Sequence, residues 1–305
     1  MATGTLVGSG KYTYEVNEDW QQLPDGWGMP AAAVAVDSQD RVFCYNRDPN
    51  HPIMVFDRDG QYLYSWGDGL FRFAHAIVID AEDNLWLTDR DHGQIMKFTP
   101  EGELLMTIGE RGFRSDTGVD PDDFSSQAYK KVTHGGDPFN LPTDIAFAAS
   151  GEMFITDGYG NARVHKFAAD GTHLFSWGEP GTEPGEFNMP HGVHIDKDGQ
   201  VLVCDRENDR VQVFSQEGEY ISTWDTKLIG PAVFYVDPDD TIYIPEHNGG
   251  LISVLTPDGK RLAQWGDPEF RSCHGIAGDS HGDLYVVQPV KGIKGRRLVK
   301  YLRQH

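Results

Sequence analysis

Short apolar runs of about five residues recur along the whole chain, each cut off by an Asp or by a turn such as "PDG". In "AAAVAVDSQDRVFCYN" two such runs flank a polar corner, and "IMVFDRDGQYLYSWG" adds a third run, a turn and a closing run. Runs this short, rich in Val, Ile, Phe and Tyr, read as β-strands. The first two runs of each group are apolar almost throughout, so both of their faces should be covered.

The group of four strands repeats. Further copies begin "HAIVIDAEDNLWLTDRD", "TDIAFAASGEMFITDGYGNARVHKF", "HGVHIDKDGQVLVCDREN", "AVFYVDPDDTIYIPEH" and "HGIAGDSHGDLYVVQP". Aligned starts at Ala31, His75, Thr143, His191, Ala232 and His274 give steps of 44, 68, 48, 41 and 42 residues. A period of about 40–45 residues is that of a four-stranded propeller blade. The chain is therefore expected to be all-β, one six-bladed β-propeller domain over residues 1–305. The long step holds an insertion at about 110–140, expected to form a lid or rim over one face. Lys130, Lys131 and His134 are its clustered basic groups. The sixth copy lacks a fourth strand, and "KYTYEVNEDW" near the N-terminus is expected to supply it and close the ring. The closing tryptophans Trp66, Trp177, Trp224 and Trp265 should pack between blades.

Composition narrows the partners. The formal net charge is −21, with only 26 Lys plus Arg. Nucleic acid and anionic membranes are thus poor partners, although a local basic pocket can still bind an anion. Cys44, Cys204 and Cys273 are far apart and show no CxxC pairing, which points to neither a disulfide framework nor a thiolate zinc site. "MATGTLVGSGKYTYEV" has no basic flank leading into an apolar run, and no stretch approaches the ~18 apolar residues of a membrane span. A cytoplasmic setting is the expectation.

Histidine stands at the inner-strand start of the second, fourth and sixth copies, where the other three carry a small residue. In a six-bladed ring alternate blades are about 120° apart, so His75, His191 and His274 should meet on the axis. Such a trigon suits a metal with open coordination positions. Imidazole serves zinc, copper, iron and nickel, and zinc is the default for a non-redox site. The other nine histidines show no such register; His247 is the nearest to an exception. A second aligned place follows the second strand, "YNRD", "TDRD", "TDGY", "CDRE" and "IPEH". Arg47, Arg90 and Arg206 are candidates there for an anion-binding collar, against the alternative of Asp–Arg bridges between blades. Tyr159 enters the same place after a glycine, and beside a cation and a metal its phenol can act as a base.

The elements "DGYGNAR", "NMPHG" and "DREN", with the NHL-type repeat that carries them, resemble the peptidyl-α-hydroxyglycine α-amidating lyase family. The likeness is strongest over residues 139–214 and extends more weakly over 30–287. It implies a six-bladed propeller with a catalytic zinc on His75, His191 and His274, and Tyr159 as the catalytic base. Arg206 and Arg47 would steady the phenolate or hold a substrate carboxylate, Arg90 would join them, and Ser272 would take the place of a substrate-pocket methionine. Gly275 stands where the family has an aspartate that helps hold a structural calcium, so carbonyls near Ala33 and Ile77 would have to serve. Gly160 replaces the cysteine of a "GYC" motif. The activity implied is cleavage of a carbon–nitrogen bond at a hydroxylated carbon, on a small α-hydroxy-amide or ureido substrate with a carboxylate. Two other readings stand beside it: a metal-dependent lactone or amide hydrolase on the same histidines, and a non-catalytic protein-binding scaffold.

Overall fold

The computed structural model describes residues 2–268, 271–290 and 296–304. Six antiparallel sheets are arranged as the blades of a propeller, and no α-helix occurs among the described residues. The inner strands are Ala31–Val36, Ala74–Ile79, Pro142–Phe147, Pro190–Ile195, Tyr235–Val236 and Gly275–Gly278. Second strands such as Val42–Asn46, Leu85–Asp89 and Val201–Asp205 are buried along their whole length, as unbroken apolar runs require.

Carboxylates recur at two places in the repeat and shape the blades that carry them. The Asp after the inner strand folds its hairpin: Asp37 Oδ1 accepts the N–H groups of Gln39 and Arg41, and Asp80, Asp196, Asp237 and Asp279 do the same in their own copies. The acid that ends the second strand reaches back to the segment entering the channel. Asp89 accepts from Arg72 and Phe73 N–H, Asp205 from Asn188, and Glu246 from Ile229. These acids therefore fix the approach to the inner strands.

The apolar core is divided into clusters between neighbouring blades. The closing tryptophans belong to them. Trp66 lies 5.1 Å from Phe98 of the second blade, Trp177 5.9 Å from Phe214 of the fourth and Trp265 5.2 Å from Tyr14 of the sixth. Trp224 packs 6.4 Å from Phe234 of the fifth. The N-terminal strand Tyr12–Asn17 pairs with Arg296–Arg303 and closes the ring, and Leu6–Ser9 adds a fifth strand to that sheet.

The segment 110–140 runs over the face where the second strands end. Its one regular piece is a 3-10 turn at Ala128–Lys131. Val119 and Ala128 are buried against Leu141, Tyr159 and Met189, with Phe124, Tyr129 and Val132 around them. Thr117 Oγ1 donates to Gly160 O (2.7 Å), and Asn140 Nδ2 donates to Ser115 O (2.8 Å). Of the basic groups singled out in this segment, Lys131 pairs with Asp123 (2.6 Å), His134 faces Asp116 (3.7 Å) and Lys130 lies over the Tyr129 ring (5.6 Å).

Candidate metal centre

His75, His191 and His274 are brought together on the axis. Each pair of imidazole rings is 4.9 Å apart, an equilateral arrangement, and all three residues are buried. Every Nδ1 meets a backbone carbonyl of the next blade: Thr143 O at 2.6 Å, Ala232 O at 2.8 Å and Ala32 O at 2.8 Å. A carbonyl can only accept, so each Nδ1 carries the proton and each Nε2 keeps its lone pair. All three Nε2 atoms are buried without a hydrogen-bond partner, and the three rings offer ligand atoms within 4.8 Å of one another. Burial, with nearby arginines adding to it at each, holds all three imidazoles well below their usual pKa, so they are neutral ligands. Three orphaned imidazole lone pairs with fixed tautomers fit a divalent transition ion, and no side chain among the described residues satisfies them.

The small residues opposite the histidines have a function of their own, because they supply those carbonyls. The ladder also corrects one register. Ala31 pairs with Asn46 as Ala74 pairs with Asp89, so the first-blade equivalent of His75 is Ala32 rather than Ala31. A run of three alanines has no internal landmark, and the sequence alone left the offset open.

Backbone strain sets up the approach to the inner strand. Leu141, Met189 and Ser272, each two residues before the ring position, have φ of 70°, 64° and 92°. Left-handed backbone at non-glycine residues costs energy and persists only where the surroundings enforce it. Here it turns the chain sharply into the channel.

Tyr159 stands over the histidines, 5.3 Å from the His75 ring and 5.8 Å from that of His191. Arg206, on the 3-10 turn Arg206–Asn208, donates from Nη1 to its hydroxyl at 3.2 Å. The Arg90 guanidinium lies 4.8 Å from the phenol ring. Burial alone would push this phenol up, but the charges of Arg206, Arg90 and Arg296 and the Arg206 hydrogen bond outweigh it, and the group is lowered.

The remaining expected residues sit around this point with different degrees of freedom. Arg47 stacks on Phe73 at 3.8 Å and gives Nε to Ala74 O; burial first, then Arg296, brings it down to about 10. Arg90 also lies on Phe73, but its fork is engaged by Asp91 and by Phe124 O of the segment 110–140. Ser272 Oγ is 3.2 Å from His247 Nε2, and the His247 ring is 6.2 Å from that of His274. His247 is thus part of the site, held down to about 4 by burial and Arg206.

Sequence reading missed Arg296. Its Nη1 is buried without a hydrogen-bond partner among the described residues, and its charge acts on Tyr159, Arg206, Arg47 and His274. It opens the third strand of the sixth blade, and the unrepeated "KGIKGRRL" spacing before it hid its place in the ring. Behind the histidines lies a cavity of about 250 Å³ lined by Ala33, Ile77, Asp144 and Gly275 among others. Asp144 occupies on the third blade the place that Gly275 occupies on the sixth. A buried carboxylate thus does face the channel where carbonyls near Ala33 and Ile77 were expected to bind calcium, contributed by another blade.

Residues 187–214 match the NHL repeat family. NHL repeat-containing protein 3 of mouse is 32% identical over 257 residues, covering 79% of this chain and 69% of that protein. Peptidyl-alpha-hydroxyglycine alpha-amidating lyase 1 of Drosophila melanogaster is 32% identical over 212 residues, which is 65% of this chain but only 35% of that protein. Among solved structures, a streptogramin B lyase superposes with a TM-score of 0.64 at 13% identity, over 95% of this chain and 98% of that one. A gluconolactonase from Xanthomonas campestris gives 0.65 at 14% identity, over 96% and 91%. At such identities the two structures share the fold.

Proposed function

The chain belongs to the family of NHL-repeat propellers that takes in NHL repeat-containing protein 3 and the peptidyl-alpha-hydroxyglycine alpha-amidating lyases, and from that premise we propose that it is a zinc-dependent carbon–nitrogen lyase. Its substrate is a small molecule with a hydroxyl and an amide or ureido nitrogen on one carbon, and a carboxylate beside it. The products are an aldehyde of the glyoxylate type and a free amide.

The observation that carries this reading is the placement of the Tyr159 phenol, lowered and bonded to Arg206, directly over three orphaned Nε2 atoms. His75, His191 and His274 would hold a divalent ion, which would supply the Lewis acidity that makes a substrate hydroxyl a stronger acid. Tyr159, held as a phenolate by Arg206, takes the hydroxyl proton and becomes the neutral phenol. The freed electron pair forms the carbonyl as the carbon–nitrogen bond breaks, and the departing nitrogen receives the proton back from Tyr159. Arg47 and Arg296, whose forks meet no carboxylate among the described residues, bind the substrate carboxylate. Tyr129, Phe124 and the rest of the segment 110–140 keep bulk water from the phenol.

The test is glyoxylate release from an N-acyl-α-hydroxyglycine. Tyr159→Phe should lower turnover by about 10² or more while the bound metal stays. Turnover of a lactone or simple amide instead, with no glyoxylate, would move the assignment to a hydrolase on the same histidines. Absence of both activities and of bound metal would leave a protein-binding scaffold.

A further inference from the structure

A second set of metal-binding side chains lies away from the channel, on the outer part of the third blade. His165, on the third strand Arg163–Phe167, and His173, on the fourth strand His173–Trp177, are neighbours with ring centroids 5.9 Å apart. Asp137 of the segment 110–140 comes down beside them, its Oδ1 3.8 Å from His165 Nδ1. One ligand atom from each of the three lies within 4.8 Å of the others.

The chemistry of His165 separates this cluster from an ordinary hydrogen-bond network. Its Nε2 donates to Asp157 Oδ2 at 3.3 Å, so Nδ1 holds the lone pair and faces His173 and Asp137. A carboxylate behind an imidazole is the arrangement that orients histidine toward a metal. In the fourth and fifth blades the equivalent acid is met without an imidazole: Gln212 Nε2 reaches Asp205 at 3.2 Å, and Ser253 Oγ reaches Glu246 at 2.6 Å; in the second blade His92, from the turn after the strand, meets Asp89 at 2.6 Å with no second histidine on the adjacent strand. An amide or a hydroxyl is enough for the structural task. The imidazole at this place adds a second nitrogen that can serve as a ligand, and His173 on the adjacent strand adds another. Between them sits Ser176 Oγ, 2.7 Å from His165 Nδ1 and 2.8 Å from His173 Nε2, donating to the first and accepting from the second. A cation would replace that bridging hydrogen bond once His173 carries its proton on Nδ1. Arg163 reaches Asp137 at 3.5 Å but has a closer partner in Glu179 at 2.6 Å, which frees Asp137 to turn to a metal.

We propose that His165, His173 and Asp137 form a second site for a divalent transition ion of the zinc class, joining the segment 110–140 to the third blade. Two imidazoles and one carboxylate are a donor set of that class, with Ser176 or water completing it. His165 is fully buried and His173 half-buried, while Asp137 is open to solvent, so the ion loads from solution. Its binding ties down the segment that covers Tyr159.

The experiment is zinc stoichiometry on the full chain after loading and desalting, read by elemental analysis. Wild type should hold two equivalents, His173→Ala and Asp137→Asn one, and His191→Ala the other one. Zinc should also slow proteolytic cleavage within the segment 110–140 in wild type and His191→Ala but leave it unchanged in His173→Ala. If His173→Ala and Asp137→Asn keep the wild-type zinc content, the site does not exist. Loss of one equivalent with no effect of zinc on cleavage in any variant would overturn the tethering part.

Discussion

Arg296 and Asp144 show how much of a site can rest on single side chains whose neighbours make them expensive. A guanidinium nitrogen buried without a partner is costly unless an anion arrives. Arg296→Met is therefore expected to raise KM for the carboxylate-bearing substrate by about 10-fold or more, with a smaller change in kcat. Steady-state kinetics on the α-hydroxyglycine substrate checks this, and an unchanged KM would remove Arg296 from substrate binding. Burial pushes the Asp144 carboxyl up to about 7, against the N–H groups of Val193 and Ile145 that pull it down. Its folded pKa lies above the usual 3.8, so the folded state keeps a proton that the unfolded chain releases. Stability from this group is thus greatest below about pH 4 and declines as the pH climbs toward 7. Asp144→Asn should flatten the fall in Tm across that window, measured in chelator; an identical slope in the variant would assign the fall to other groups.

In the first, third and fourth blades, the tryptophan that closes the sheet is matched by a glycine turn of the next blade, Gly102, Gly218 and Gly259. Gly218 has φ of 80°, and a Cβ there would lie 2.9 Å from the Trp177 ring; at Gly259, φ is 82° and the Trp224 ring would be met at 2.3 Å. Both the backbone and the packing exclude a side chain. Gly218→Ala is expected to destabilise the protein by about 2 kcal/mol or more, seen as a lowered Tm in thermal melts. If Tm did not move, the Trp177 seat would have to be looser than its geometry. The "EGE" and "PDG" turns were legible in the sequence as turns, but not as seats for an indole. That pairing joins residues about 40 positions apart in neighbouring repeats, and local periodicity carries no record of it.

On the scale of the whole molecule, closure depends on one strand. Tyr12, Tyr14 and Val16 enter the core beside Trp265 and Tyr243, and their strand covers the edge of Arg296–Arg303. Val16→Asp puts a charge into a fully buried position of this seam. The expected loss is about 3 kcal/mol or more, with a rise in aggregation from the exposed edge, read by chemical denaturation and light scattering. Full stability in that variant would show that the ring does not need this strand.

The repeat, the blade number, the closing strand and the alternation of His75, His191 and His274 were determined by the sequence alone. Each is a pattern written at a fixed period, and closing a ring turns a period into an angle. The resemblance carried in "DGYGNAR" and "DREN" likewise singled out Tyr159 and Arg206, which the structure sets beside one another above the histidines. Only the tertiary structure decided that Ala32, and not Ala31, faces His274. It also decided that Arg90 is tied to Asp91 while Arg47 and Arg296 meet no carboxylate among the described residues, and that Asp144 lines the same cavity as Gly275. Those are questions of which side chains meet across blades. The answers depend on burial and on competition for a few partners, neither of which a linear pattern contains.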